Sequence, residues 1–275
     1  MGRTVKEKRA AFRALHAEGC FIMPNPWDVG SARMLEGLGF KALATTSAGF
    51  AWTVGRPDTG VSRDAMLAHL RVMSAGTDVP INADFEGGYA SDAKGVAESV
   101  RLAVETGVAG LSIEDSTGDV DHPLRPIDEA VTRMRAARKA IDAAGGDTLL
   151  VGRAENFIAG RPDLDDTIKR LKAYSDAGAD CLYAPGIRTR EQITAVVAAV
   201  APKPVNLLIY APSEFTLKDV AAMGVRRISV GGALARTAWA GMLRTARLMA
   251  GEGRFDGFGD ATPGKELNEF FNKCR

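Results

Sequence analysis

The stretch VPINADFEGGYASDAKGVAESVRLAVETGVAGLSIEDS (residues 79–116) contains two short apolar runs separated by a helical pattern. In the middle segment, DAKGVAESVRLAVETG (92–107), three valines recur every four positions and therefore share one face of a helix. The flanking runs, VPINADFE (79–86) and AGLSIEDS (109–116), have the length and the apolar character of buried strands. A strand, a helix and a second strand in this order predict a parallel β-α-β unit.

The same alternation extends along the whole chain of 275 residues, which carries eight strand-like runs. The eight runs occupy 20–27, 41–47, 79–86, 109–116, 148–155, 180–186, 204–210 and 226–232. Eight such runs alternating with helices predict an α/β fold, a (β/α)8 TIM-type barrel, in a single domain spanning residues 1–275. A doubly wound open sheet is the alternative, but no GxGxxG motif follows the first run. The tail at 253–275 ends in a short amphipathic pattern, so we expect extra C-terminal helices.

Composition argues against several classes of partner. The formal net charge is +1 and the pI is about 7.7, which indicates neither nucleic acid nor an anionic membrane as a partner. No apolar run approaches the ~20 residues that a membrane span needs. The three cysteines, Cys20, Cys181 and Cys274, have no paired spacing, which favours a reducing compartment. We therefore expect a cytoplasmic protein.

Carboxylates stand at the ends of two consecutive runs. Asp84 and Glu86 lie two positions apart, so in a strand they would point to the same side. Glu114 ends the next run, and the carboxyl ends of barrel strands meet at the mouth where active sites form. Three carboxylates that lie close together repel one another unless a cation lies among them. Because oxygen-only ligands favour a hard ion, these three residues predict a Mg²⁺ site, with Mn²⁺ as the other candidate.

A structural explanation of the same acids is also open, in which they form ion pairs with Arg153 or with basic loop residues. Arg153 ends the fifth run, and in the functional interpretation its guanidinium would bind a substrate carboxylate in a bidentate fashion. Asn206 lies on the seventh run, and its amide would suit a distal carboxylate of the substrate.

Four motifs in order resemble the isocitrate lyase/phosphoenolpyruvate mutase superfamily. They are NPWDVGSARMLEGLGFKALATTSAGFA (25–51), INADFEGGYA (81–90), GLSIEDS (110–116) and GRAENFIAG (152–160), and the likeness covers roughly residues 20–235. The resemblance implies an α/β barrel whose last barrel helix is often swapped between subunits, in a homodimer or homotetramer. It also implies that Mg²⁺ is held by residues matching Asp84, Glu86 and Glu114, with Glu86 where the family usually has Asp.

The resemblance further implies how a substrate is held. The carboxylate and oxo oxygens of the substrate would meet the metal, the backbone around residues 47–49, and an arginine matching Arg153. Trp27 matches a tryptophan that packs over the substrate, and Asp58 matches an acid placed near the reacting group. The predicted catalytic residues are Asp58, Arg153 and Glu114. The predicted substrate-binding residues are Trp27, Ser47, Ala48, Gly49, Asp84, Arg153 and Asn206.

These residues indicate a Mg²⁺-dependent lyase or decarboxylase. It would cleave a C–C bond of a small 2-hydroxy or 2-oxo di- or tricarboxylate, isocitrate/methylisocitrate-like or oxaloacetate-like, through a metal-bound enolate. The segment EDSTGDVDHPLRPIDEA (114–130) departs from the lyase branch of the family, since it contains no cysteine to supply a proton. Two alternatives stay open. One is a phosphonopyruvate-type or oxo-acid hydrolase of the same family, which needs an activated water. The other is a non-catalytic 2-oxo acid binder.

Overall fold

Eight parallel strands form one sheet that curves into a nearly closed barrel in the computed structural model, which describes residues 2–273. Cys274 lies outside the described residues. The strands are β1 Phe21–Met23, β2 Leu43–Ala44, β3 Ile81–Asp84, β4 Gly110–Glu114, β5 Leu149–Arg153, β6 Cys181–Tyr183, β7 Val205–Leu208 and β8 Arg227–Ser229. They pair in the order β1-β8-β7-β6-β5-β4-β3-β2. At the seam between β1 and β2, the Ala44 N–H donates to the Pro24 carbonyl oxygen at 3.1 Å.

Helices alternate with the strands. They are α1 Val5–Leu15, α2 Val29–Gly37, α3 Ser47–Thr53, α4 Arg63–Gly76, α5 Ala93–Glu105, α6 Ile127–Ala143, α7 Leu164–Asp176, α8 Arg190–Val200, α9 Leu217–Ala222, α10 Ala233–Glu252 and α11 Gly264–Lys273. The predicted (β/α)8 barrel with extra C-terminal helices is therefore confirmed.

Short polar side chains determine where several barrel helices begin. The carboxylates of Asp28, Asp92 and Asp163 each accept a hydrogen bond from a backbone N–H three residues further on, at the start of α2, α5 and α7. Each such cap stabilises a helix by about 1 kcal/mol. On α5 the valines at 96, 100 and 104 are all buried, as their spacing predicts.

Helix α1 covers the amino-terminal end of the barrel. Its Phe12 is fully buried in a cluster with Met23, Ala42 and Leu149, which lie in or beside the barrel strands. His16, which follows α1, packs edge-on against Phe12 and Phe21. Because this end is closed, the interior of the barrel is reached from the carboxyl ends of the strands.

The C-terminal helices lie outside the barrel. Helix α10 leaves the side chains of Leu234, Met242, Leu243 and Met249 exposed, whereas α11 contacts α2. Among residues 2–273, no helix combines the length and the apolar character needed to cross a bilayer.

Candidate active site

A cavity of about 350 Å³ occupies the carboxyl ends of the strands. The predicted site residues that line it are Ser47, Ala48, Asp58, Asp84, Arg153 and Asn206. Glu86 and Glu114 line a smaller adjacent cavity of about 240 Å³, together with Thr59, Arg125 and Arg133. The structure therefore brings most of the predicted residues to one mouth, but it divides them between two neighbouring spaces.

Asp84 is held by Thr45, which follows β2, and by residues of α3 and β5. Its Oδ2 accepts hydrogen bonds from the backbone N–H of Ser47 at 3.0 Å and from the Ser47 hydroxyl at 2.9 Å. The Asp84 N–H in turn donates to Thr45 Oγ1 at 2.9 Å. Its other carboxylate oxygen, Oδ1, accepts from Arg153 Nη1 at 3.1 Å. The start of α3 and the end of β3 are thus tied to one carboxylate.

Arg153 is the centre of an ion-pair cluster. Its Nη1 lies 3.1 Å from Asp84 Oδ1 and 3.0 Å from Glu114 Oε2, and its Nε donates to Glu155 Oε1. The guanidinium also lies over the ring of Tyr183, 5.3 Å from its centroid. The ion pairs that the structural explanation anticipated are present, yet one guanidinium serves three carboxylates.

Glu86 departs from the predicted geometry. The strand was expected to continue to residue 86, but β3 ends at Asp84, and Glu86 lies in a turn with a left-handed backbone (φ 46°). Tyr89 in the same turn is also left-handed (φ 52°), and its hydroxyl donates to Glu86 Oε1 at 2.8 Å. The expectation that Glu86 and Asp84 face the same side of a strand is therefore wrong. A left-handed backbone is uncommon in non-glycine residues, and such positions cluster at functional sites.

The acids at the mouth are not fully neutralised. Burial raises the pKa of Glu86 to about 7, and the negative charges of Asp84 and Asp58 add to this effect. Burial and the nearby Asp84 raise the pKa of Asp58, and burial together with neighbouring carboxylates raises that of Glu114 well above its usual range. Arg153, the arginine that pairs with Asp84, Glu114 and Glu155, therefore does not balance all the carboxylates of the site.

This donor set fits a hard divalent cation in chemistry and in charge. Such an ion would neutralise the excess negative charge of the carboxylates whose pKa values are raised. In the arrangement described for residues 2–273, however, no three His, Cys, Asp or Glu side chains are gathered closely enough to hold an ion. Asp84 and Glu114 are linked through Arg153, and Glu86 is turned toward Tyr89.

The predicted substrate contacts are distributed unevenly around the cavity. Gly49 lies behind the wall, where an added Cβ would stand 3.1 Å from the Cβ of Trp27. Trp52, three residues along α3 from Gly49, lines the cavity, whereas Trp27 is not among its lining residues. The substrate contact of Trp27 stays a prediction.

Asn206 lines the cavity with its amide already hydrogen-bonded on both sides. Its Oδ1 accepts from Arg227 Nε at 2.9 Å, and its Nδ2 donates to Ser229 Oγ at 2.9 Å. Arg227 also lines the cavity and was missed in the sequence, because in the pair Arg226-Arg227 the alternation does not reveal which arginine points inward. Trp52 was missed because a helical aromatic residue carries no signal of its own.

Known proteins and solved structures resemble this chain over most of its length. The chain matches the family model described as phosphoenolpyruvate phosphomutase over residues 12–250. A crystal structure from Burkholderia cenocepacia J2315, described provisionally as that of a lyase/mutase, is 48% identical with a TM-score of 0.94, and the match covers 98% of this chain and 97% of that chain.

Two further relatives carry names that state an activity. Oxaloacetate decarboxylase of Paraburkholderia xenovorans (strain LB400) is 33% identical over 242 residues, which are 85% of this chain and 77% of that protein. The structure of oxaloacetate acetylhydrolase in complex with the product oxalate is 28% identical with a TM-score of 0.86, covering 98% of this chain and 94% of that chain. The family match spans most of the barrel and includes every motif that pointed to it. The chain is therefore an enzyme of the phosphoenolpyruvate mutase family, within the isocitrate lyase/phosphoenolpyruvate mutase superfamily that its motifs indicated.

Proposed function

We propose that this enzyme is a lyase that cleaves a C–C bond of a small 2-oxo or 2-hydroxy di- or tricarboxylate, with an oxaloacetate-like acid as the leading substrate. The observation that carries the proposal is the cluster of Asp84, Glu114 and Arg153 at the barrel mouth, beside the amide and hydroxyl of Ser47. The relative named oxaloacetate decarboxylase supports the choice of substrate class.

The proposed cofactor is Mg²⁺, with Mn²⁺ as a substitute, held by Asp84, Glu86 and Glu114. When bound, the ion would supply Lewis-acid stabilisation of negative charge developing on the substrate. The raised pKa values of Glu86 and Glu114 support this role, because a cation would remove the repulsion that contributes to them.

The other residues have separate roles in the proposal. Arg153 binds the carboxylate next to the oxo or hydroxy carbon. The Ala48 amide at the start of α3 orients a substrate oxygen, whereas the Ser47 N–H donates to Asp84. The carbon that loses the departing group needs a proton. Asp58 lines the cavity and has a raised pKa, so its carboxyl is our candidate for holding that proton. Burial raises the pKa of Tyr183 to about 12, so its phenol remains a hydrogen-bond donor.

A hydrolase of the same family is the second candidate. The oxaloacetate acetylhydrolase relative supports it, and so does the segment 114–130, which holds no cysteine and forms a short antiparallel bridge between Ser116 and Leu124. His122 in this segment has 87% of its side chain exposed, so it is a poor candidate for the proton donor. A binder without turnover, the other alternative that the sequence left open, has no observation of this structure in its favour.

The proposed assembly is a homodimer or homotetramer, with α10 exchanged between subunits. The apolar side chains that α10 exposes support an intersubunit role for this helix. The cytoplasmic location stays a prediction.

A substrate panel with Mg²⁺ separates the three candidates. The panel contains oxaloacetate, isocitrate, methylisocitrate, dimethylmalate and phosphonopyruvate, and the products are identified by mass. A lyase of the decarboxylase kind would convert oxaloacetate to pyruvate and CO₂, whereas a hydrolase would convert it to oxalate and acetate. Binding of pyruvate with no turnover of any compound would contradict both enzyme proposals and favour the binder.

A further inference from the structure

Arg227 is an arginine buried inside the barrel without a carboxylate partner. It is 2% exposed, and it forms no ion pair with any of residues 2–273. By contrast, Arg153 and Arg170 each pair with two or more carboxylates, and the equally buried Arg133 donates to three backbone carbonyl oxygens. An unpaired buried charge is costly, so its retention requires an explanation.

The contacts of Arg227 are with neutral groups. Its Nε donates to Asn206 Oδ1 at 2.9 Å, and its Nη1 lies 3.3 Å from both Asn82 Oδ1 and His16 Nε2. Burial, with the charge of Arg227 next in effect, lowers the pKa of His16 to about 3, so the imidazole is uncharged at neutral pH. These contacts use Nε and Nη1, which leaves Nη2 for a ligand. Among the described residues, no carboxylate pairs with this guanidinium where Arg227 lines the cavity.

Strand register connects Arg227 to the mouth of the barrel. Arg153 pairs with Tyr183, Tyr183 with Asn206, and Asn206 with Arg227, so the four residues form one row across β5, β6, β7 and β8. Arg153 is the last residue of β5, whereas Arg227 is the first residue of β8. Because barrel strands are staggered, this row descends from the mouth toward the closed end. All four residues line the cavity of about 350 Å³ at the barrel mouth, which therefore has an arginine at each end of one wall.

We propose that Arg227 forms a second anion subsite, which binds the distal carboxylate of a dicarboxylate whose other end is held at Arg153. Asn206 is then a positioning residue, since its Oδ1 fixes the guanidinium and its Nδ2 is committed to Ser229. The inference rests on the proposed function for the Arg153 end of the ligand, and it narrows the substrate class to acids with two carboxylates.

The test compares two ligands that differ only in the distal group. Malate and 2-hydroxybutyrate share the hydroxy acid end, but malate carries a carboxylate where 2-hydroxybutyrate carries a methyl group. Binding of each is measured by calorimetry with Mg²⁺ present. A charge-assisted pair at Arg227 should make malate bind about ten- to a hundredfold more tightly. Equal affinities in the unaltered protein would overturn the proposal without any variant.

Variants then assign the preference to a residue. Arg227→Met should reduce malate binding to the level of 2-hydroxybutyrate while leaving 2-hydroxybutyrate binding within about twofold, and Arg227→Lys should retain part of the preference. The matched control is Arg236→Met, which removes an exposed arginine lining the same cavity. If the preference is lost in Arg236→Met and kept in Arg227→Met, or if Arg227→Met weakens both ligands equally, the subsite is refuted.

The proposed lyase function and the Arg227 subsite can be refuted independently of each other. If the substrate panel shows no turnover while malate is still preferred through Arg227, the proposed lyase function fails and the subsite stands. If oxaloacetate is turned over while malate and 2-hydroxybutyrate bind equally, the function stands and the subsite fails. Should Arg227→Met not fold, the ligand comparison in the unaltered protein and in Arg227→Lys still decides the question.

Discussion

Replacing Asp84 by asparagine tests the proposed metal site with little change in shape. In the structure Asp84 already accepts from Arg153 and from both donors of Ser47, and an asparagine oxygen can still accept from Ser47. The substitution removes the negative charge and also the acceptor for Arg153, because the asparagine N–H₂ then takes the position of Oδ1. With an effective dielectric constant near 20, a unit charge and a divalent ion about 4 Å apart attract by roughly 8 kcal/mol. Water and the remaining carboxylates compensate most of this energy, but a net loss of only about 2 kcal/mol would lower Mg²⁺ affinity about 30-fold.

The assay follows thermal unfolding with increasing Mg²⁺, so it does not depend on turnover. A ligand at about 100 times its Kd stabilises the folded state by about 2.7 kcal/mol, which for a protein of this size raises Tm by roughly 5 °C. We expect this increase in the unaltered protein. In Asp84→Asn at the same Mg²⁺ concentration we expect about a third of it, because a 30-fold weaker Kd leaves about 0.9 kcal/mol of stabilisation. Asp58→Asn is the matched control, since it removes a carboxylate from the same cavity that is not a predicted ligand. An Asp84→Asn protein with the full Mg²⁺-dependent increase in Tm would refute the assignment.

Three further predictions concern pH and the network behind the site. His16 has a folded pKa of about 3, far below its unfolded value of 6.5. Its contribution to stability is therefore complete above about pH 6.5 and declines by a few kcal/mol as the pH falls toward 3, so urea unfolding of His16→Gln should depend less on pH over this range. The pH dependence of stability due to Glu86 has the opposite sign, because the pKa of Glu86 in the folded protein is raised from 4.5 to about 7. Without Mg²⁺, the contribution of Glu86 to stability is present below about pH 4.5 and is lost as the pH rises through 7. Mg²⁺ affinity should rise with pH up to about 7, because the ion binds the ionised carboxylate. An equally steep rise in Glu86→Gln would contradict this prediction. Tyr174→Phe removes the hydroxyl that donates to the buried Asp115 at 2.5 Å, so denaturant titration should show a loss of about 1.5–3 kcal/mol, and a loss below 0.5 kcal/mol would contradict the role of this hydrogen bond.

The fold could be predicted from the sequence because its signals are local. Strand β4 lies inside the predicted run 109–116, and the buried valines of α5 share the face that their spacing indicated. Each strand is nevertheless shorter than its run, because polar residues at the run ends belong to the loops that form the site. The position of Glu86 could not be predicted, because no local pattern shows that β3 ends at Asp84 and that the backbone at Glu86 is left-handed.

The sequence allowed most residues of the site to be predicted, but not the contacts that their side chains make. Asp84, Glu114 and Arg153 do meet at the mouth, because the carboxyl ends of consecutive parallel strands must be neighbours. What the residues touch depends on register between strands that are distant in sequence. The amide of Asn206 is engaged by Arg227, which lies 21 positions away, and only the pairing of β7 with β8 reveals this contact.

The seam between β1 and β2 has a consequence for how the enzyme can open. Strand β2 is paired along its length only with β3, among the strands described, and Thr45, Ser47 and Asp84 are tied together on that side. If the seam widened, the first turn of α3 and the Asp84 carboxylate would move together, because their hydrogen bonds join them. Trp52, which lies on α3, would move with them and away from Gly232 beyond β8, while the Asp84 oxygens and the α3 amides keep their mutual positions.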